Sequence, residues 1–222
     1  MRDSIKTNIS SIRKYTKDHQ ELLRAHHFTY DLISKGDDSK HYIVMGINPG
    51  EQGSEDTCKG PTEETSEYDF FEVHGENKNR SATEWSNNAR YYLGDKGNIV
   101  MTNFFFWSSK GLKGFRERFG YGFNSKKSNK HLDFCKRMNF SLIQIYKPRL
   151  IVSPGIGLTK LSSRYDFGDP LETIYDHSKR ARLVQRYEYQ GIPVVFTKHW
   201  TSRWGVTSEE KVEVKEYLKD YL

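Results

Sequence analysis

Three times in this chain a short apolar run ends on a polar side chain. His41-Tyr42-Ile43-Val44-Met45-Gly46-Ile47-Asn48-Pro49-Gly50 passes from an apolar strand into a rigid turn that carries an amide. Asn98-Ile99-Val100-Met101-Thr102-Asn103 ends in a second amide, and Pro193-Val194-Val195-Phe196-Thr197-Lys198-His199 ends in an imidazole. Leu150-Ile151-Val152, followed by Ser153-Pro154-Gly155, is a further apolar run of strand length. Helical patterns alternate with these runs, which favours an α/β fold built on a parallel sheet. In such sheets ligands sit in the crevice outside the carboxyl ends of the strands. Asn48, Asn103 and His199 are therefore expected to converge on one site.

The rest of the chain fits this alternation. Apolar residues from Ile9 to Ile33 predict a helix over 5–34, stopped by Lys35-Gly36-Asp37-Asp38. Periodicity is weak from Gly50 to Gly97, apart from a short helix over Ala82 to Leu93 that ends at Gly94. Leu132, Cys135, Met138, Leu142, Ile145 and Tyr146 recur at helical spacing, and Lys147-Pro148 ends that helix. Leu183 to Tyr189 and Pro193 to Phe196 read as two strands about a tight turn at Gly191. Thr207 and Glu210 form a capping-box pattern ahead of a helix with the stripe Val214, Tyr217, Leu218 and Tyr221. The expected organisation is one domain over 1–222, with an N-terminal helical region over 1–39 and an acidic, aromatic insertion over 51–97.

Composition excludes several classes. No apolar stretch is long enough to span a membrane, and Met1-Arg2-Asp3-Ser4 lacks a signal core, so a cytoplasmic, soluble protein without membrane partners is expected. Cys58 and Cys135 lie far apart without CxxC context and are expected as free thiols. Gly155-Ile156-Gly157 lacks the rest of a dinucleotide fingerprint, and no Walker lysine follows a suitable strand. His74-Gly75-Glu76 lacks the PCxxC partner of zinc deaminases, and His26-His27 face different ways on a helix. No metal site and no cofactor are expected.

The net charge is +6, and its distribution is uneven. From Lys110 to Arg137 nine Lys or Arg stand against two acids, with Phe115, Phe119, Tyr121 and Phe123 interleaved. That pattern reads either as a solvated charged face or as a surface that tracks phosphates and stacks on bases; the aromatics favour the second. Lys110, Lys113, Arg116, Lys126, Lys127 and Lys130 are the candidate DNA contacts. Lys179-Arg180-Ala181-Arg182 forms another basic cluster, whereas Glu51 to Glu76 holds nine acids against one lysine.

Gly46-Ile47-Asn48-Pro49-Gly50, joined in this order to Asn103 and His199, resembles the uracil-DNA glycosylase superfamily. The likeness covers about residues 40–206 and is strongest to the mismatch-specific uracil/thymine branch, whose first motif also reads GINPG, and next to the single-strand-selective branch. It implies a three-layer α/β/α sandwich with a central, mostly parallel four-stranded sheet, acting on DNA as a monomer. Asn48 would position the attacking water, Asn103 would read the pyrimidine edge, and His199 would open the second motif, usually His-Pro-Ser. Here Trp200-Thr201-Ser202-Arg203-Trp204 follows instead. The wedge that replaces a flipped base is consequently not assigned, with Trp200 and Arg203 the bulky candidates and Ser202 beside them; core packing is an equal reading for the tryptophans.

The implied reaction is hydrolysis of the N-glycosidic bond of an extruded pyrimidine, leaving an abasic site. A neutral imidazole at His199 can donate to the pyrimidine O2, and the Asn103 amide can pair with the base edge. Asn48 can hold a water but cannot act as a strong base, because an amide takes up no proton near neutral pH. In the uracil-only branch of the superfamily a tyrosine follows the motif-one proline and crowds C5; here that place is Gly50, which admits a C5 substituent. Gly46, Ile47, Pro49 and Gly50 would line the pocket. Phe70 and Phe71, amid acidic residues, are candidates to enlarge it for a glucosylated hydroxymethylcytosine, the rival reading being a solvated acidic loop. Base-excision repair and defence against phage with modified DNA both fit. The rival functions are a non-catalytic nucleic-acid-binding protein of the same fold and a hydrolase of free nucleosides.

Overall fold

In the computed structural model of the protein, the described residues are 2–25, 32–33, 41–50, 80–94, 98–123, 125–177, 181–200 and 206–222. The elements in chain order are α1 (Arg2–Lys17), a 3₁₀ turn (Gln20–Arg24), β1 (Leu32–Ile33), β2 (Tyr42–Gly46), α2 (Arg80–Leu93) and β3 (Ile99–Asn103). Then come α3 (Gly111–Phe119), α4 (Lys126–Tyr146), β4 (Leu150–Pro154), two 3₁₀ turns (Ile156–Leu161 and Ser163–Tyr165), β5 (Glu172–Tyr175), β6 (Arg182–Tyr189), β7 (Ile192–Thr197) and α5 (Ser208–Lys219). By contacts the chain divides into two compact units, Met1–Leu32 with Gly46–Tyr68 and Thr102–Ile145, and Ile33–Met45 with Asp69–Met101 and Tyr146–Leu222.

The second unit carries most of a mixed sheet in the order β1-β3-β2-β4-β7-β6-β5. Tyr42 to Val44 pair in parallel with Leu150 to Val152, and Ile151 to Pro154 pair in parallel with Val194 to Thr197. The bond from His41 N–H to Asn98 C=O at the start of β2 and β3, and that from Phe104 N–H to Gly46 C=O at their end, show that these two also run in parallel. Every residue of β2, β3 and β4 is buried, as expected for parallel strands covered on both faces. Their apolar runs are continuous for that reason.

The four expected parallel strands are thus β3, β2, β4 and β7, but the sheet is larger and mixed. It has six strands of four residues or more, with the two-residue β1 at one end. β6 returns antiparallel to β7 through Gln190-Gly191, whose φ angles of 51° and 80° are those of a tight hairpin turn. β5 then pairs antiparallel with β6. No apolar run announces β5, because this edge strand is exposed or half-buried along its whole length. Gly94, at φ 80°, closes α2 with its N–H on the Arg90 carbonyl. Thr207 and Glu210 form the expected reciprocal cap at the start of α5.

The first unit is helical. The helix expected over 5–34 ends at Lys17. Ile5, Ile9 and Ile12 are buried and Thr16 continues their spacing, but no apolar residue follows at 19 or 20, and Leu22 is buried from a 3₁₀ turn instead. Leu32–Ile33 is strand. The basic aromatic stretch also needs correction. Phe115 and Phe119 sit on the inner face of α3, both essentially buried, and pack with Phe123 around Phe105. Tyr121 is buried as well. These rings form core and do not stack on bases, since the i, i+4 spacing on a short helix turns them to one side while the cations face out. Among the described residues, no helix is long and apolar enough to cross a membrane.

Candidate functional site

In the first unit, the turn after β2 is laid along the segment that follows β3. Phe104 N–H donates to Gly46 C=O at 2.8 Å, Phe105 N–H to Ile47 C=O at 2.9 Å, and Ser109 N–H to Pro49 C=O at 3.1 Å. This pairing continues the sheet ladder past both strand ends and fixes the backbone of Asn48. Phe104, Phe105, Phe106 and Trp107 are all fully buried, which anchors the opposing segment. Trp107 further donates its indole N–H to Thr16 Oγ1 at 2.9 Å.

The Asn48 side chain is oriented by its partners. Its Nδ2 donates to Ser109 Oγ at 2.8 Å, to the Pro49 carbonyl at 3.2 Å and to the Trp107 carbonyl at 3.3 Å. A carbonyl can only accept, so the nitrogen must be the atom facing Pro49 and Trp107, and the amide cannot be flipped. Ser109 in turn donates its hydroxyl to Gly111 C=O at 3.1 Å, which points its lone pairs at Asn48. With the nitrogen fully used, Oδ1 accepts no hydrogen bond among the described residues, on a side chain that is only half-buried. It is available to hold a water or a ligand donor.

Gly46 and Pro49 are buried, Ile47 is half-buried, and Gly50 is exposed. Among the described residues, a Cβ built on Gly50 meets nothing within 4 Å. Asn103, the last residue of β3, is buried, and its carbonyl accepts from Asn139 Nδ2 at 2.9 Å. Asn139 Oδ1 accepts from Thr102 Oγ1 at 3.0 Å, so one carboxamide of α4 holds the end of β3. Lys110, Lys113, Arg116, Lys126, Lys127 and Lys130 are all exposed, on α3 and at the start of α4. Lys113 forms an ion pair with Glu117 at 3.6 Å.

In the second unit, His199 follows β7 by two residues. It is half-buried, with the ring of Trp85 edge-on at 5.8 Å. Burial holds its pKa below the ordinary histidine value, against an opposing pull from Glu84, so the imidazole is neutral near pH 7. Trp200 is only 2% exposed; its indole N–H donates to Thr197 Oγ1 at 3.1 Å and its ring stacks on Tyr92 at 5.0 Å. Of the two readings of Trp200, core packing is the one observed. On the other side, Lys198 bridges Glu210 and Asp176, at 3.7 Å from the latter. Burial alone would raise the Glu210 pKa; the hydrogen bonds from Lys198 and from the Thr207 N–H, together with the Lys198 charge, outweigh it, and the carboxyl is held below its usual range.

Asn48 and Asn103 thus belong to the first unit and His199 to the second. Phe70, Phe71, Ser202 and Arg203 lie outside the described residues, as do Cys58 and the acidic stretch over 51–79. Sequence reasoning missed Ser109, Asn139 and Asn88. Ser109 gives no signal beyond being a serine. Asn139 does, because it interrupts the apolar stripe Leu132, Cys135, Leu142 at a helical position that is 1% exposed. Among the described residues no group of three or more His, Cys, Asp or Glu could hold a metal ion. In comparison with known proteins, no family model and no curated protein matches the chain.

Proposed function

We propose that the protein is a monofunctional DNA glycosylase with the three-layer architecture of the uracil-DNA glycosylase superfamily. It hydrolyses the N-glycosidic bond of a flipped-out modified pyrimidine and leaves an abasic site. The observation that carries this reading is the Asn48 amide, whose nitrogen is tied to three acceptors so that its oxygen points outward as a fixed acceptor. Such an oxygen suits a water that must be oriented and not deprotonated. Cleavage passes through a sugar with oxocarbenium character, so a positioned water suffices as the nucleophile once the base has begun to leave. The charge that builds on the departing pyrimidine is met by the N–H of a neutral His199, and the Asn103 amide reads the base edge.

β2, β4 and β7 are parallel and adjacent in that order, so their carboxyl ends share one edge of the sheet, which is where α/β folds place their ligands. The exposed lysines and arginine of α3 and α4 offer phosphate contacts that duplex extrusion requires. A glycine at position 50, with nothing against it among the described residues, favours a substrate that includes C5-substituted cytosines, glucosylated hydroxymethylcytosine among them, alongside uracil. Repair of cytoplasmic DNA or defence against phage with modified DNA is the corresponding role, and the protein acts as a monomer.

The test is a panel of oligonucleotides bearing uracil, mismatched thymine, hydroxymethylcytosine and its glucosylated form, followed by alkaline cleavage. Strand scission at one modified pyrimidine is the expected result. Tight DNA binding with no abasic product from any substrate would replace this reading by a non-catalytic nucleic-acid-binding protein. Release of bases from free nucleosides, without salt dependence, would replace it by a small-molecule hydrolase.

A further inference from the structure

The backbone around His199 is gripped from one face of α2. Trp85, Asn88 and Tyr92 lie three and four residues apart, so they project from the same side of that helix. Trp85 meets the imidazole edge-on, and Tyr92 stacks under Trp200. Between them, Asn88 is 5% exposed and donates its Nδ2 to the Trp200 carbonyl at 2.9 Å. Its Oδ1 accepts from Lys211 Nζ of α5 at 3.2 Å. A lysine only donates and a carbonyl only accepts, so the orientation of this amide is unambiguous. On the other side of His199, Lys198 N–H donates to Leu183 C=O at 3.1 Å, and the Lys198 ammonium is held by Glu210 and Asp176.

A buried asparagine in a helix interior is a poor helix former and must have its amide satisfied to be tolerated. An apolar residue would pack in that position without either requirement. What the amide adds is a directional bond to a peptide outside its own helix, one residue beyond the imidazole. We infer that Asn88 is a positioning residue for His199, fixing through the Trp200 carbonyl the backbone from which the imidazole projects. The inference rests on the glycosylase reading for its kinetic consequence, but the placement of the ring is measurable without any reaction.

The experiment follows the His199 imidazole by nuclear magnetic resonance in the full chain, its signal assigned by loss in His199→Gln. Glu84 acts on this ring, and it is left unchanged in every variant. In Asn88→Leu the ring loosens toward solvent, and its titration midpoint moves up toward the ordinary histidine value. Asn88→Ala, smaller and uncharged, likewise has no donor for the Trp200 carbonyl, so it shows the same upward movement. Lys211→Met keeps the donor and, with only one cation removed, moves the His199 midpoint by less than either. Asn88→Ala adds no bulk and carries the test even where Asn88→Leu fails to fold. On the best substrate of the panel, Asn88→Ala lowers kcat by about 10- to 100-fold with KM within about twofold, as for loss of geometry at a reacting group.

The inference is overturned if Asn88→Ala matches the wild type in titration, or if Lys211→Met shifts the imidazole as far as Asn88→Ala does. Either result would make Asn88 only an anchor between helices. Wild-type protein that cleaves nothing removes the glycosylase reading, while the titrations still decide the role of Asn88.

Discussion

Asn48 and His199 are held in opposite ways. The amide in the first unit is fixed by backbone carbonyls and one serine, all from two segments that run side by side, 46–49 and 104–109. The imidazole in the second unit has neighbours fixed by side chains from elements far along the chain, Trp85 and Asn88 on α2, Glu210 on α5 and Asp176 after β5. Backbone acceptors cannot be removed by substitution, whereas a side-chain clamp can be lost at any of its members. The first arrangement is accordingly robust to change around it, and the second is adjustable. A fixed acceptor suits an atom that must hold one water in one direction. A clamp of side chains suits a donor whose fixed position can be retuned by substitution around it.

The largest effect that would test this contrast is that of Asn48→Ala. It removes the outward oxygen but none of the backbone bonds that shape the turn, because those run between Gly46, Ile47, Pro49 and the 104–109 segment. Base release should fall by about a thousandfold or more, the loss typical of a preorganised polar group in an active site. DNA affinity, measured by fluorescence anisotropy, should stay within a few fold. Unchanged release in Asn48→Ala would take the amide out of the mechanism and leave its three-acceptor anchorage as a structural feature of the turn.

The second unit should be the more fragile of the two. Lys198→Met leaves Glu210 and Asp176 facing each other without their cation, and the side chains of all three are less than a fifth exposed. Loss of one member of a mostly buried ionic cluster costs about 3 kcal/mol. Denaturant unfolding should show that loss near neutral pH and a smaller one in acid, where a carboxyl can take up a proton. A variant as stable as the wild type would mean that the clamp beside His199 contributes packing only.

The same contrast explains what could be read from the chain. The turn at Asn48 is legible because its determinants are local: an apolar run, then Asn, Pro and Gly. The parallel strands, the β6–β7 hairpin, the Gly94 stop and the Thr207 cap are legible for the same reason. β5 is not, since an edge strand half in water needs no apolar run and is defined only by β6 beside it. The length of α1 was misread because Leu22, Leu23 and Ile33 prolong an apolar count that the geometry does not use as helix. Phe115 and Phe119 look like a stacking surface only while their partner Phe105 is out of view, and Tyr121 only while its packing on Phe115 is. Residues around His199 were unreadable because each is set by an element remote in sequence. Asn88 and Asn139 nevertheless leave one trace, a carboxamide on an otherwise apolar helix face.

A smaller effect separates the two kinds of anchorage within the first unit. Ser109→Ala removes one of the three acceptors on Asn48 and leaves both carbonyls. The amide keeps its orientation but gains freedom to rock, and the lost bond is worth about 1 kcal/mol. The expected result is a fall in kcat of about fivefold to tenfold with KM unchanged. Ser109→Thr, which restores the hydroxyl, should recover most of it. A loss as large as that of Asn48→Ala would show that the serine, and not the peptide carbonyls, holds the amide.

The smallest effect concerns protons, and it compares one histidine in each unit. His131 of α4 is 1% exposed, its Nε2 3.0 Å from Glu21 Oε1 and its Nδ1 3.0 Å from the Tyr15 hydroxyl. Burial lowers its pKa, partly offset by the hydrogen bond that its Nε2–H gives to Glu21, and burial likewise lowers that of His199, partly offset by Glu84. Both rings are therefore favoured neutral in the folded chain, while in the unfolded chain they take up protons near the ordinary value of about 6.5. Their contribution to stability is complete above that pH and is lost as pH falls through the lowered folded values. His131→Gln keeps a donor and an acceptor without titrating, as does His199→Gln, so each should flatten part of the acid slope in unfolding midpoints measured between about pH 7.5 and pH 5. Base release should follow only one of them. It should fall by about tenfold per pH unit below the His199 midpoint, itself below the ordinary histidine value, because in the proposed function it is the neutral ring that meets the departing base. In His131→Gln that acid limb should be unmoved, and a shift in it would mean that the histidine of the first unit, through the Trp107 ring packed beside it, acts on the Asn48 amide.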